Sequence, residues 1–305
     1  MNRNKLLLAV ISAFIICSCN TNYAGPGVVP GKSYFGANEY IEFIPGNMPL
    51  IISVPHGGYT EPSNMQDRDC GWNHSDTKCI EIAKMIKDSI FAITGKYPYI
   101  ILNNLKRSKL DPNREEFEAT CGDSVSLPYY YEYHKFIDSA KAMVMQQFGK
   151  GLYIDLHGHN HKVPRIEIGY VLDTPELEIP DSLLNDASFI NKSSVKNLAL
   201  NSGLKFSELI RGEKSLGAIF ESYGYECVPD NKHASPGKEE FFQGGYDVDT
   251  HGSGKGGTID AIQIETQKPG LRDNTQNQEK FSGVFTHSIL RYIKMYYYPS
   301  SPSPF

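Results

Sequence analysis

The sequence predicts an α/β domain in which a mixed or parallel sheet carries helices on both faces. Three observations lead there. Short apolar runs bounded by turn residues alternate with stretches of helical periodicity through most of the chain. Several of the strand-like runs end in polar side chains, which is where open α/β sheets carry their sites. The 305 residues, 40% hydrophobic and 21% charged, suffice for one large packed core.

Residues 48–54 are apolar and run into Pro55-His56-Gly57-Gly58, so His56 lies just past a strand end. Ser75 is placed to cap a helix, with Asp76 opening it and Cys79, Ile82, Ala83, Ile86 and Ile90 at helical spacing up to Gly95. Residues 97–102 form the next strand, followed by a polar loop over 103–114 that holds Arg107, Asp111, Asn113 and Arg114. A helix is expected over 128–148, its aromatic residues serving packing. Residues 152–161 read Leu-Tyr-Ile-Asp-Leu-His-Gly-His-Asn-His. After the turn at 149–151 this is a core strand over 152–156, ended by Gly158, with His157 at its carboxyl end. Asp155 and His157, two apart, share one face of an extended strand. A strand over 166–172, a surface-covering helix over 181–204 and a further strand over 217–222 follow.

The Gly-rich stretch 252–257 is not a phosphate loop, because position 249 is Asp where the first Gly belongs and Gly256 stands in place of Ser/Thr. It reads as a mobile loop, a candidate lid. The last strand, 258–265, ends in Glu265, and an amphipathic helix over 276–296 precedes a frayed tail.

The net charge of −5 and pI near 6.0 give no basis for nucleic-acid binding or attraction to an anionic membrane. There is no repeat and no sustained heptad pattern. At the N-terminus, Arg3 and Lys5 precede an apolar stretch over 6–16 that is too short to span a bilayer. Ile16-Cys17-Ser18-Cys19 resembles the lipobox of bacterial lipoproteins. That resemblance implies a signal peptide over 1–18, lipidation of Cys19, attachment to the cell envelope through the lipid alone, and a periplasmic or outer-membrane location. Residues 19–35 read as a flexible tether, 36–298 as the catalytic domain and 299–305 as a disordered tail. Four cysteines then remain, Cys70, Cys79, Cys121 and Cys227. In an oxidising compartment they allow two disulfides in three connectivities; at least one bridge is expected, with Cys70–Cys79 as one candidate.

Zinc hydrolases hold one ion with three ligands of the His₂-carboxylate kind and leave a position for water. His56, Asp76 and His157 can supply the ligands, and Glu265 a carboxylate to shuttle the proton. His159 and His161 are rivals for the ligand or substrate-facing roles.

Six motifs in order, over about residues 50–270, resemble the N-formylglutamate amidohydrolase (deformylase) family. They are Ser53-Val-Pro-His-Gly-Gly58, Ser75-Asp76, Arg107-Ser-Lys-Leu-Asp-Pro-Asn-Arg114, Asp155-Leu-His157 with Val163-Pro-Arg165, Gly244-Gly245 with His251-Gly252, and Ala261-Ile-Gln-Ile-Glu265. The resemblance implies a single three-layer α/β/α domain with a twisted mixed sheet, similar to zinc carboxypeptidases and phosphorylase/hydrolase-like. It implies one zinc ion on His56, Asp76 and His157, and Glu265 as the catalytic glutamate. Arg107 would polarise the scissile carbonyl, Arg114 with Asn113 would clamp a substrate carboxylate, and Arg165 is a third arginine for that purpose.

The chain departs from the pattern where the family's His-Ser step becomes His157-Gly158 and where Thr77 follows the acidic ligand. The export signal is a further departure, since histidine degradation is cytoplasmic. An exported relative is expected to cleave an amide in an N-acylamino acid, a peptide or a cell-wall fragment. The alternatives are a carboxypeptidase-like or murein-peptide hydrolase, and a non-catalytic carboxylate-binding lipoprotein.

Overall fold

The computed structural model describes residues 28–300. The expected signal peptide, the expected lipidation site Cys19 and residues 301–305 of the tail lie outside them. Eight strands form one sheet: β1 (Tyr34–Phe35), β2 (Ile41–Ile44), β3 (Leu50–Val54), β4 (Tyr99–Asn103), β5 (Gly151–His159), β6 (Ile166–Gly169), β7 (Cys227–Val228) and β8 (Ile259–Gln267). Their order is β1-β2-β4-β3-β5-β8-β6-β7, so the last strand in sequence sits near the middle. The centre β4-β3-β5-β8 is parallel, and β2 and β6 join it antiparallel, giving the mixed sheet of the expected α/β/α class.

Three long helices cover the sheet: α1 (Cys79–Thr94) and α11 (Thr275–Tyr296) on one face, α3 (Leu127–Phe148) on the other. Short helices fill the connections: α2 (Glu116–Thr120), α4 (Thr174–Glu178), α5 (Asp181–Leu184), α6 (Ala187–Lys192), α7 (Lys196–Asn201), α8 (Phe206–Arg211), α9 (Leu216–Glu221) and α10 (Tyr246–His251). No helix among the described residues is long and apolar enough to cross a membrane.

The two-residue period of the strands places the site. Leu50, Ile52 and Val54 of β3, Leu152, Ile154 and Leu156 of β5, and Ile262 and Ile264 of β8 pack into the core under α1 and α11. The alternate positions Ile51, Tyr153, Ile259 and Ala261 pack into the core under α3. Continuing that second register toward the carboxyl ends gives Ser53, Asp155, His157, Gln263 and Glu265. One face of the sheet thus changes from apolar to polar along its length.

Several elements differ from expectation. The helix expected to begin at Ser75 starts at Cys79, behind Lys78 in the left-handed region (φ 74°). Ser75 does not cap it; its hydroxyl donates to Gly58 O and accepts the Arg107 N–H. Asp76 instead lies alongside His56, its N–H donating to His56 O at 2.9 Å. β5 runs past Leu156 to His159, because pairing with β8 continues through Gly158↔Thr266 and His159↔Gln267.

Residues 217–222, read as a strand, belong to helix α9, whose N-cap Ser215 accepts the Ala218 N–H. The helix expected over 181–204 is broken into α5, α6 and α7, and Asp186 caps α6 by accepting the Ser188 N–H. Tyr34 and Phe35, assigned to the tether, pair with β2, so the folded body begins ahead of residue 36. The 252–257 stretch is held by Ser253, whose hydroxyl donates to Asp260 Oδ1 at 2.6 Å.

One disulfide joins Cys70 to Cys121, across 51 residues. Cys79 is not its partner: it is a free, buried thiol of α1, as Cys227 is of β7. The bridge closes a segment that Arg68 also holds. The fully buried Arg68 guanidinium donates to the carbonyls of Cys70, Trp72, Arg107 and Glu118.

Candidate metal centre

His56 and His157 extend from the ends of neighbouring strands β3 and β5, and Asp76 comes from the segment lying against His56. All three are buried. His56 Nδ1 and His157 Nδ1 are 3.1 Å apart, and Asp76 Oδ2 lies 3.4 Å from the first and 3.2 Å from the second. Ligands at about 2.0–2.2 Å from a tetrahedral zinc stand about 3.3–3.6 Å apart, so this triangle is within a few tenths of an ångström of the required size.

The outer partners fix which nitrogen points inward. His56 donates its Nε2–H to Asp111 Oδ1, and His157 donates its Nε2–H to Asp155 Oδ2, both at 2.6 Å. Asp155 is itself held by the Ser53 hydroxyl (2.5 Å), which accepts the Tyr153 hydroxyl (2.7 Å). A ring that donates from Nε2 presents its Nδ1 lone pair, so two lone pairs and a carboxylate face one another across about 3 Å. Only a cation or a proton between them relieves that repulsion, and carboxylate-backed imidazoles are the usual support of a bound metal. The donor set of two imidazoles and one carboxylate suits zinc. His56, Asp76 and His157 therefore fit the ion that the sequence implied.

The electrostatics agree. Although burial opposes a charged ring, Asp155 and Glu265 hold His157 well above the usual histidine range. Burial likewise opposes the Asp76 carboxylate, yet its contacts with His157 and His56 hold it below its ordinary value. Asp111 is pulled well down by His56 and Arg107 against its burial.

Glu265 faces His157 across the β5–β8 pair. Its Oε1 accepts the Gln263 amide at 3.0 Å and stands 3.8 Å from His157 Nδ1, while its buried Oε2 has no hydrogen-bond partner. Burial pushes this carboxyl up to about 8; His157 offsets the shift in part, and Asp76 and Glu167 add to it. A buried carboxyl beside the centre, with one oxygen free of hydrogen bonds, is placed to take up and return a proton.

Arg107 reaches the ligand groups: its Nε donates to Asp111 Oδ2 at 2.8 Å and its Nη1 is 3.8 Å from Asp76 Oδ1. Arg114 turns away, its Nε donating to Glu118 and its Nη1 to Asn113 O. Asn113 is buried, with Nδ2 3.2 Å from His157 Nε2 and Oδ1 accepting the Asp247 N–H. Arg165 is buried as well, yet its Nε and Nη2 have no partner. Neither rival histidine reaches the centre. His159 donates to Arg165 O and accepts the His161 N–H, and His161 pairs with Glu167.

Two glycines are set by close approach. A Cβ at Gly58 would stand 2.3 Å from Asn104 backbone, and one at Gly158 would stand 2.3 Å from the Arg272 guanidinium carbon. Arg272 lies over Gly158 and donates to the carbonyls of Thr77, His159 and Thr266, tying the Asp76 segment to β5 and β8. This accounts for glycine after His157. Sequence reading missed Arg68 and Arg272, isolated charges in polar stretches whose burial no local pattern signals.

No protein-family model and no curated protein matches the chain. Solved structures do. The N-formylglutamate amidohydrolase from Ralstonia eutropha JMP134 superposes with a TM-score of 0.52 at 14% identity, over 84% of this chain and 98% of that one. The gene product Atu2144 from Agrobacterium tumefaciens does so with 0.52 at 12% identity, over 84% and 95%. The fold is amidohydrolase-like. At these identities the likeness concerns the fold alone; the chemistry rests on the side chains described above.

Proposed function

We propose that the protein is a zinc-dependent amidohydrolase that cleaves an amide next to a free carboxylate, in an N-acylamino acid or peptide-like substrate. The observation that carries this is the convergence of two carboxylate-backed Nδ1 atoms and Asp76 beside the buried Glu265 carboxyl, one oxygen of which has no hydrogen-bond partner. Bound there, zinc would polarise the scissile carbonyl and make water a nucleophile near neutral pH. Glu265 accepts the proton of the attacking water and delivers it to the departing nitrogen. Arg107, fixed by Asp111, steadies the negative charge that develops on the carbonyl oxygen.

The substrate carboxylate is assigned to Arg165 ahead of Arg114. A buried guanidinium without partners leaves an unmet demand for an anion, whereas Arg114 already has Glu118. Action outside the cytoplasm, on a lipid anchor at Cys19, is supported by the N-terminal sequence and by the Cys70–Cys121 bridge, a feature of oxidising compartments.

Metal analysis of purified protein, with hydrolysis of formyl-, acetyl- and aminoacyl-glutamate and short peptides, tests the reading. A protein that binds no zinc at His56, Asp76 and His157, or turns over none of these amides, is not this enzyme. Equal turnover of a substrate and its neutral carboxamide would remove the carboxylate requirement.

A further inference from the structure

A second group of potential ligands lies outside the centre described above: His134 on α3, with Asp247 and His251 on α10. Asp247 and His251 are four residues apart, so they share one face of their short helix. His134 and His251 stack, with ring centroids 5.2 Å apart and planes inclined by 24°.

Outer partners again decide which nitrogens are free. His134 Nε2 donates to Pro112 O at 3.1 Å, which leaves Nδ1 as the unprotonated nitrogen of a neutral ring. His251 Nδ1 faces Asp138 Oδ1 at 3.2 Å, so its proton belongs there and Nε2 is left free. These two inward nitrogens are 2.9 Å apart. Asp247 Oδ1 lies 3.9 Å from His134 Nδ1; the residue is fully buried and this oxygen has no hydrogen-bond partner. The other oxygen accepts the Tyr133 hydroxyl at 3.3 Å. A buried carboxyl oxygen without a hydrogen-bond partner is costly, and this one faces the inward nitrogen of His134. A bound divalent cation satisfies all three atoms together.

We infer that His134, Asp247 and His251 form a second metal site, separate from His56, Asp76 and His157, for a zinc-type divalent cation. Two nitrogens and one oxygen are the donors that zinc accepts. His134 and His251 are each oriented by an oxygen on the far side of the ring, the arrangement that supports bound metals. Its role is structural. It joins α10 to α3, and Asp247 N–H holds Asn113, whose side chain touches His157. An ion at this site stiffens the support behind the first centre without meeting substrate.

The test is metal stoichiometry by equilibrium dialysis against zinc, followed by elemental analysis, on the full folded chain. The wild type should hold two ions per chain. His251→Gln and the near-isosteric Asp247→Asn should each hold one, and His56→Ala should also hold one, retained at the second site. The ion lost in Asp247→Asn should be accompanied by a lower melting temperature in zinc but an unchanged one in chelator. Circular dichroism identifies any variant that has not folded, and the other second-site variant then decides. Equal zinc content in the wild type and a folded second-site variant overturns the proposal, and means that a proton bridges His134 and His251 instead. Loss of all metal in His56→Ala overturns it as well.

Discussion

Breaking the Cys70–Cys121 bridge should lower stability substantially while leaving the ligand triangle intact. The bond closes a loop of 51 residues. In the chain-entropy treatment, a cross-link over that span removes about 14 cal/mol/K from the unfolded ensemble, or about 4 kcal/mol at 25 °C. For a domain of this size each kcal/mol moves the melting temperature by about 2–4 °C, so the loss is about 8–16 °C. The native state keeps a second hold on the same segments, since Arg68 donates to the carbonyls of Cys70, Arg107 and Glu118. The Cys70→Ser/Cys121→Ser protein should therefore fold, bind zinc and melt early. Thermal unfolding followed by circular dichroism, with and without dithiothreitol, measures the effect. Both sulfurs belong to half-exposed residues, so reductant should bring the wild type down to the variant and leave the variant unmoved. A wild type that melts at the same temperature as the double variant would refute the reasoning. Zinc loss in the variant would show instead that the bridge builds the centre.

Glu265→Gln should retain zinc and fold but lose about 10²–10⁴-fold in kcat, and a variant that loses zinc would make Glu265 a ligand. Asp155→Ala frees His157 Nε2 from its 2.6 Å partner and should weaken zinc binding about 10–100-fold, measured by competition with a chelator. His157 is held above its usual range in the metal-free protein, so a proton competes with zinc for it. Zinc affinity should therefore rise with pH toward that raised value, with protons released on binding; titration calorimetry in two buffers of different ionisation enthalpy would detect their absence. Gly158→Ala places a methyl 2.3 Å from the Arg272 guanidinium carbon and should cost about 1–3 kcal/mol in denaturant unfolding. Burial pushes the Cys79 and Cys227 thiols far up, so these two should resist alkylation at pH 8 in the native protein and react only when it unfolds.

How much of this was legible in the sequence depended on whether the signal was local. Apolar runs ending in His56, His157 and Glu265 mark β3, β5 and β8 because strands buried on both faces leave that pattern, and the Asp155–His157 pair follows from the two-residue period. Asp76 reads in the sequence as a helix opener, whereas in the fold a backbone bond to His56 O positions it. Residues 217–222 were read as a strand because a short apolar run does not distinguish strand from helix; the cap at Ser215 carried the missing information. Arg114 and Arg165 both read as loop arginines in the sequence; that Glu118 pairs with Arg114 while the Arg165 guanidinium is buried with Nε and Nη2 unpartnered is decided by the fold. The Cys70–Cys121 pairing, Arg68 and Arg272 are decided only by which distant segments meet.

The position of β8 has a consequence for how the chain reaches this state. His56, Asp76 and His157 all lie in the first 157 residues, yet β5, which carries His157, borders a strand that begins only at Ile259. Until that strand is available, a nine-residue edge bearing His157 and its partner Asp155 has no neighbour on one side. Such an edge is a template for pairing with other chains, and a contact formed across about 100 residues is slow to close. An N-terminal fragment ending before β8 should therefore aggregate rather than form a half-enzyme. Arg272, just beyond β8, bonds the three segments carrying Asp76, His157 and Glu265, so its full set of hydrogen bonds requires all of them to be in place.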